Sequence, residues 1–145
     1  SPELEAHYKK YLSNRSKITG YFAAYNGVFT ELSDRTKELA AEIDAIHKQI
    51  ETDTANYKSG IAQLNSDIEK FNNRAASSGF TSQAQFDQER QALVKRSSNL
   101  EGNRSDLSAL VAKYNDLINE YNDTVLQSNT LYKSIDSSLA PAPSV

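Results

Sequence analysis

The chain has 145 residues, with 16 Lys and Arg against 19 Asp and Glu, no Cys, and only three Pro, at positions 2, 141 and 143. The lack of Cys excludes disulfide frameworks, thiolate zinc sites and cysteine nucleophiles. The formal charge of −3 comes without a basic stripe, so binding to nucleic acid or to an anionic membrane is disfavoured, and no apolar run is long enough to span a bilayer. Because Pro is absent from 3–140, the composition favours long helices over a turn-rich sandwich or barrel.

The first predicted helix covers about residues 2–77. From Leu4 to Ile50, apolar residues recur at alternating steps of four and three, which is typical of a coiled-coil helix. After Ile50 the spacing takes an additional step of four, to Thr54, which predicts a stutter that locally unwinds the supercoil. The seam of this helix consists of Leu4, Tyr8, Tyr11, Arg15, Ile18, Phe22, Tyr25, Phe29, Leu32, Thr36, Leu39, Ile43, Ile46, Ile50, Thr54, Tyr57, Ile61, Leu64, Ile68, Phe71 and Ala75.

Aromatic residues concentrate at the N-terminal end of this helix, within 8–29. One interpretation is a helical overhang that packs on a second copy or on a host domain, since aromatics at helical spacing are usually core. In a second, Gly20 or Gly27 breaks the helix and residues 3–19 fold back as a short third helix. A third interpretation is a ligand-binding aromatic patch. The predicted partner contacts, which include one residue of the turn described next, are Leu4, Tyr8, Tyr11, Ile18, Tyr21, Phe22, Tyr25 and Phe80.

A single turn is predicted at residues 78–81. Gly79 is expected to take the left-handed conformation that ends a helix, and Phe80 would then fold back onto Ala75 as in a Schellman motif. Ser82 and Gln85 match a capping box that opens a second helix.

The second predicted helix covers about residues 82–139. Its predicted seam consists of Phe86, Arg90, Leu93, Ser97, Leu100, Arg104, Leu107, Val111, Tyr114, Ile118, Tyr121, Val125, Ser128, Tyr132, Ile135 and Leu139. Two helices joined by a short turn lie antiparallel, and counting outward from the turn pairs Ala75 with Phe86 and Phe71 with Arg90. Gly60 and Gly102 lie off both predicted seams.

The predicted fold is therefore all-α: one long antiparallel coiled-coil hairpin over residues 1–140, with an N-terminal overhang or a short third helix. Residues 141–145 are expected to form a Pro/Ala linker or tail. Because a two-helix rod buries little surface per residue, we expect a homodimer, or a host domain of the parent chain, to cover it.

Residues that could support catalysis are scarce. His47 is flanked at helical spacing by Asp44 and Glu51, a pattern that favours a solvated, salt-bridged face over a surface metal site. The sequence has no phosphate-binding loop, nucleophile elbow or zinc-binding His-Glu-x-x-His motif. We therefore predict no catalytic, cofactor-binding or metal-binding residue, no cofactor, and a protein that is not an enzyme.

Aromatic-Asn pairs recur at heptad spacing in the second helix, as Tyr114-Asn115 and Tyr121-Asn122. Upstream stand Phe71-Asn72, Gly79, Phe86 and Glu89-Arg90. This stretch, 61–125, resembles the coiled-coil hairpin of bacterial extracytoplasmic proteins that carry a matrixin-like zinc metalloprotease domain. The His-Glu-x-x-His helix of that protease is absent, so no catalytic or zinc residue carries over. The resemblance implies a bacterial origin, an extracytoplasmic location and a hairpin accessory to a host domain.

The function predicted from the sequence is a structural coiled-coil module that acts as a spacer, scaffold or self-association element of a larger protein. The alternative is a module that recognises a protein or peptide through its aromatic-rich N-terminal end or through the tip at Phe80.

Overall fold

The computed structural model describes the backbone of residues 1–138 and the side chains of these residues except 18, 21, 22 and 134–138. Two α-helices account for nearly all of this stretch, α1 (Pro2–Ala76) and α2 (Gln83–Ser138), and the described backbone contains no strand. The all-α prediction is confirmed; α1 ends one residue before its predicted end, and α2 begins one residue after its predicted start. Leu139 and the predicted tail at 141–145 lie outside the described residues.

Helix α1 begins where the sequence predicts. Pro2 is its first residue, a position that tolerates proline because the missing N–H would have no partner there. The Ser1 hydroxyl accepts a hydrogen bond from the Leu4 backbone N–H at 3.2 Å and caps the helix. The helix continues without interruption through Gly20 and Gly27, so the structure differs from the third-helix interpretation.

The chain divides into two compact units, and each combines a segment of α1 with a segment of α2. Unit 1 consists of Ser1–Ala41 and Ile118–Val145, and unit 2 of Glu42–Leu117. Leu39 is fully buried in unit 1, while Leu64 and Leu117 are buried in unit 2. Few of the described side chains are buried this deeply, as expected where one helix packs against a single partner.

In unit 2, the buried face of α1 keeps a regular spacing beyond Ile50. The half-buried residues include Asp53, Gly60, Asp67 and Arg74, which continue the heptad spacing from Ile50 without an added step. Thr54, Ile61 and Ile68, which the predicted stutter selected, are half-buried beside them, whereas Ala75 is exposed. The prediction was built on apolar residues alone. In this part of α1, one of the two columns of the seam consists of polar or small residues.

Gly60 is on this seam, contrary to the prediction. A Cβ atom added at Gly60 would lie 2.8 Å from Cδ2 of Leu100, so the missing side chain makes room for that leucine. Gly102 is exposed and an added Cβ would meet no atom within 4 Å, in agreement with its predicted position off the seam.

The buried face of α2 differs from the prediction in one of its two columns. The predicted column through Phe86, Leu93 and Leu100 is half-buried, but most of the other column is displaced by one residue. The seam residues found exposed are Arg90, Ser97, Arg104, Val111 and Tyr132, and the half-buried residues directly before them are Glu89, Arg96, Leu110 and Leu131. The predicted Ile118 and Val125 are half-buried, and Leu117 and Thr124 directly before them are buried. The polar residues Glu89 and Arg96 concealed this column from a search based on apolar spacing.

Candidate interaction surfaces

The turn between the helices is a Schellman motif, but its left-handed residue is not the predicted one. Ser78 has a φ of 57°, whereas Gly79 does not have a positive φ. The Gly79 N–H donates to the Arg74 carbonyl at 2.8 Å and the Ser78 N–H donates to the Ala75 carbonyl at 3.4 Å, which are the two hydrogen bonds of the motif. Gly79 instead leaves room at a tight contact, because an added Cβ would lie 3.3 Å from the Arg74 carbonyl oxygen.

Helix α2 opens with the predicted cap in a modified form. The Ser82 hydroxyl accepts a hydrogen bond from the Gln85 N–H at 3.1 Å, as in a capping box. The Gln85 side chain does not return to Ser82; its oxygen accepts hydrogen bonds from the Thr81 N–H and hydroxyl, each at 2.7 Å. The cap therefore ties two turn residues to the first turn of α2.

Three phenylalanines form an aromatic cluster beside the turn, here called the tip cluster: Phe71, Phe80 and Phe86. Their ring centroids are 5.1–5.2 Å apart in all three pairings, within the range of favourable aromatic contacts. The Arg74 guanidinium carbon lies 4.2 Å from the Phe80 ring centroid, a cation–π arrangement. Phe80 thus packs on Phe71 and Phe86, and the contact of Phe71 with Phe86 replaces the predicted pairing of Phe71 with Arg90.

Two ion pairs join α1 to α2 behind the tip cluster. Arg74 Nη1 lies 2.7 Å from Glu89 Oε2, and Arg96 Nη1 lies 2.7 Å from Asp67 Oδ2. The hydrogen bond from Arg96 lowers the pKa of the Asp67 carboxyl, partial burial opposes that shift, and a hydrogen bond from Gln63 adds to it. Each ion pair therefore gives a charged side chain on the seam a partner of opposite charge on the other helix.

The predicted partner contacts whose side chains the structure describes are divided between the two units. Leu4, Tyr8 and Tyr11 are each more than half exposed on the first turns of α1, and the Tyr8 ring contacts His7 at a centroid distance of 6.1 Å. Tyr25 is half-buried in unit 1. The side chains of Ile18, Tyr21 and Phe22 lie outside the described residues. Phe80, in unit 2, belongs to the tip cluster.

The histidine singled out as a metal-site candidate makes two side-chain contacts. His47 Nε2 lies 3.6 Å from a Glu51 carboxylate oxygen, and its ring centroid lies 6.1 Å from that of Tyr114 on α2. Among the described side chains, no group of three or more His, Asp or Glu is placed to hold a metal ion. None of the described helical stretches combines the length and apolarity that crossing a membrane requires.

An open groove in unit 1 was not found from the sequence. It has a volume of about 440 Å³ and is lined by Val28, Leu32, Leu126, Gln127, Thr130 and Leu131. Val28 is 43% exposed and Leu126 is 63% exposed. Neither residue belongs to the predicted seams, although each directly follows or precedes a seam residue, which is the only sequence signal that could have drawn attention to them.

Comparison with known protein families, with curated proteins and with solved structures finds no match for this chain. The resemblance to hairpins of extracytoplasmic proteins therefore stays a prediction, and the functional argument depends on the chain's own residues.

Proposed function

We propose that this chain is a non-enzymatic antiparallel coiled-coil module that acts as a spacer, scaffold or self-association element of a larger protein. The observation that carries the proposal is the order of contacts in unit 2. Gly60 lies against Leu100, Asp67 pairs with Arg96, and Arg74 pairs with Glu89. Partner numbers fall along α2 as they rise along α1, which is the contact order of an antiparallel pair.

The dimensions of unit 2 suit a stiff spacer. Its segments of α1 and α2, 42–76 and 83–117, each contain 35 residues, or five heptads. At 1.5 Å per residue, each segment is about 50 Å long. Layers that interlock at every heptad resist bending better than a single helix does, so the unit would hold its ends at a constant separation.

A pair of engineered cysteines tests the antiparallel pairing directly, because the chain has no Cys of its own. The added Cβ at position 60 lies 3.9 Å from Cγ of Leu100, so these two positions lie side by side across the helices. Gly60→Cys with Leu100→Cys is expected to form an intramolecular disulfide on mild oxidation. The matched control is Gly60→Cys with Leu93→Cys, one heptad away. Equal crosslinking in both pairs, or crosslinking only between chains, would contradict the proposed pairing.

The spacer role predicts a narrow distance distribution within unit 2. Spin labels on cysteines at Glu42 and Ala76 would stand about 50 Å apart along α1. We expect double electron–electron resonance to give one narrow peak near that distance. A broad distribution centred well below it would show that unit 2 bends freely and would refute the spacer role.

The family resemblance extends this proposal to a host domain and an extracytoplasmic location in a bacterium. Support comes from the antiparallel contacts of unit 2, since such a module returns the chain to the side on which it entered and can be inserted in a host. Fractionation of cells that express the full parent protein tests the location, and recovery of the protein with cytoplasmic markers would contradict it.

Recognition of a protein or peptide is a second candidate function. The observation that favours it is the exposure of Leu4, Tyr8 and Tyr11, because aromatic side chains commonly anchor interfaces. Replacing Tyr8 and Tyr11 together by Ala removes this anchor without touching unit 2. Loss of partner capture with unchanged helicity would favour recognition, and unchanged capture would favour the spacer.

A further inference from the structure

Residues 2–24 of α1 are exposed along their whole described length. Every side chain that the structure describes in this stretch is exposed, and Tyr25 is the first that is half-buried. A helix without packed neighbours depends on its intrinsic propensity, which Gly20 and Gly27 lower. These turns should therefore open at a small fraction of the free energy that unfolds the paired helices, since local stability follows buried contacts.

The sequence Asn26-Gly27 lies at the end of this exposed stretch. Both residues are exposed, and no other asparagine in the sequence is followed by a glycine. An added Cβ at Gly27 would meet no atom within 4 Å, so the space around this peptide is open. A glycine after asparagine leaves the backbone nitrogen unhindered, which makes this the asparagine most open to attack on its own side-chain amide.

The reaction available to this pair is deamidation through a cyclic imide. The Gly27 nitrogen attacks Cγ of Asn26; the new N–Cγ bond forms, the Cγ–Nδ2 bond breaks, and ammonia leaves with the proton of the backbone N–H. Water then opens the ring at either carbonyl and gives aspartate or isoaspartate. The net change is the replacement of the side-chain NH2 by OH, with no oxidant or reductant.

The helix controls this reaction. In the closed helix the Gly27 N–H donates to the carbonyl four residues earlier, so the nitrogen cannot attack until this turn opens. We propose that Asn26 is a site of spontaneous deamidation whose rate is set by opening of the exposed stretch of α1. Isoaspartate adds a methylene group to the main chain and interrupts the helical hydrogen bonds. The product therefore separates the turns that carry Tyr8 and Tyr11 from the paired part of α1.

The same dipeptide placed in a paired helix provides a matched control. Ser66→Gly puts a glycine after Asn65, which is exposed on α1 but lies beside the buried Leu64. Peptide mapping by mass spectrometry, after incubation of the full chain in mildly alkaline buffer, measures both rates in one sample. Asn26 should react at least about tenfold faster than Asn65 of this variant, because Asn65 reacts only when paired helices open. In urea the two rates should be similar.

Gly27→Ala should slow the reaction of Asn26 at least about tenfold, since alanine hinders the attack and favours the closed helix. Circular dichroism verifies that Ser66→Gly keeps its helicity. If it does not, Asp116→Gly supplies the control by placing a glycine after Asn115, beside the buried Leu117.

Three outcomes would overturn the proposal. In the first, Asn26 reacts no faster in the native protein than the asparagine of the control variant. In the second, Asn26 reacts in urea but stays unmodified in the native protein. In the third, Asn14, which lies in the same exposed stretch but precedes Arg15, reacts as fast as Asn26.

Discussion

The contact between Gly60 and Leu100 can be tested by placing the same methyl group at two helical glycines. Gly→Ala within a helix stabilises by about 1 kcal/mol through propensity alone. At Gly102, where nothing lies within 4 Å, this gain should appear in full. At Gly60 the added Cβ would stand 2.8 Å from Cδ2 of Leu100 and ordinary contact begins near 3.4 Å, so the methyl group must move by about 0.6 Å.

Overpacking a buried site costs about 1–3 kcal/mol, and the lower end applies because the atom that must move is a terminal methyl. We therefore expect Gly102→Ala to raise the free energy of unfolding by about 1 kcal/mol and Gly60→Ala to leave it nearly unchanged. The difference corresponds to about 4 °C in the melting temperature of a chain of this size.

Urea unfolding followed by circular dichroism, at one fixed protein concentration, gives both free energies. A double-mutant cycle with Leu100→Ala completes the assay, since Gly60→Ala should stabilise once the obstructing side chain is gone. The reasoning is refuted if Gly60→Ala stabilises as much as Gly102→Ala in the wild-type background and shows no coupling to position 100.

Three further predictions concern the turn and the ion pairs. Ser78→Gly should raise the free energy of unfolding by about 0.5–1 kcal/mol in urea unfolding, because glycine relieves the left-handed conformation at some cost in unfolded-chain entropy. Ser78→Ala should give no gain in the same measurement. Ser82→Ala should lower the free energy of unfolding by about 1 kcal/mol through loss of the hydroxyl that caps α2, and a chemical melt with an unchanged midpoint would contradict this. Because the pKa of Asp67 is lowered in the folded protein, its stabilising contribution is complete above the unfolded value of 3.8 and is lost as the pH falls through the folded value. The stability advantage of the wild type over Asp67→Asn should therefore shrink in melts below about pH 4, and an advantage that does not change with pH would contradict this.

The sequence predicted the all-α class and the positions of both helices because the heptad spacing is long and proline is confined to the ends. It also located the turn and the Ser82 cap, which depend on local chemistry. The prediction of the left-handed residue was wrong. Conformational propensity favours Gly79, whereas the hydrogen bonds of the Schellman motif place Ser78 at the left-handed position. The preference of glycine for the left-handed conformation is a property of a single residue. In the Schellman motif, the left-handed position is determined by the residue at which the helix ends.

The second seam column was missed for a different reason. Asp67, Arg74, Glu89 and Arg96 are half-buried because each has a partner of opposite charge on the other helix. A search by apolar spacing cannot detect such partners, which are 15 and 29 residues apart in sequence. The groove in unit 1 was not predicted for the same reason. It is formed by side chains of both α1 and α2, and apolar spacing along one helix does not show which residues of the other helix lie beside it.

The order of negative and positive charges in these ion pairs affects the register in which the two helices pair. Along α1 the seam charge changes from negative at Asp67 to positive at Arg74, and along α2 from negative at Glu89 to positive at Arg96. Sliding one helix by a heptad in either direction preserves the apolar layers, yet it sets Arg74 against Arg96 or Asp67 against Glu89. Like charges so placed oppose each other, and apolar packing alone would tolerate either misalignment. These four charged residues therefore specify the register between α1 and α2, which a periodic apolar seam cannot specify by itself.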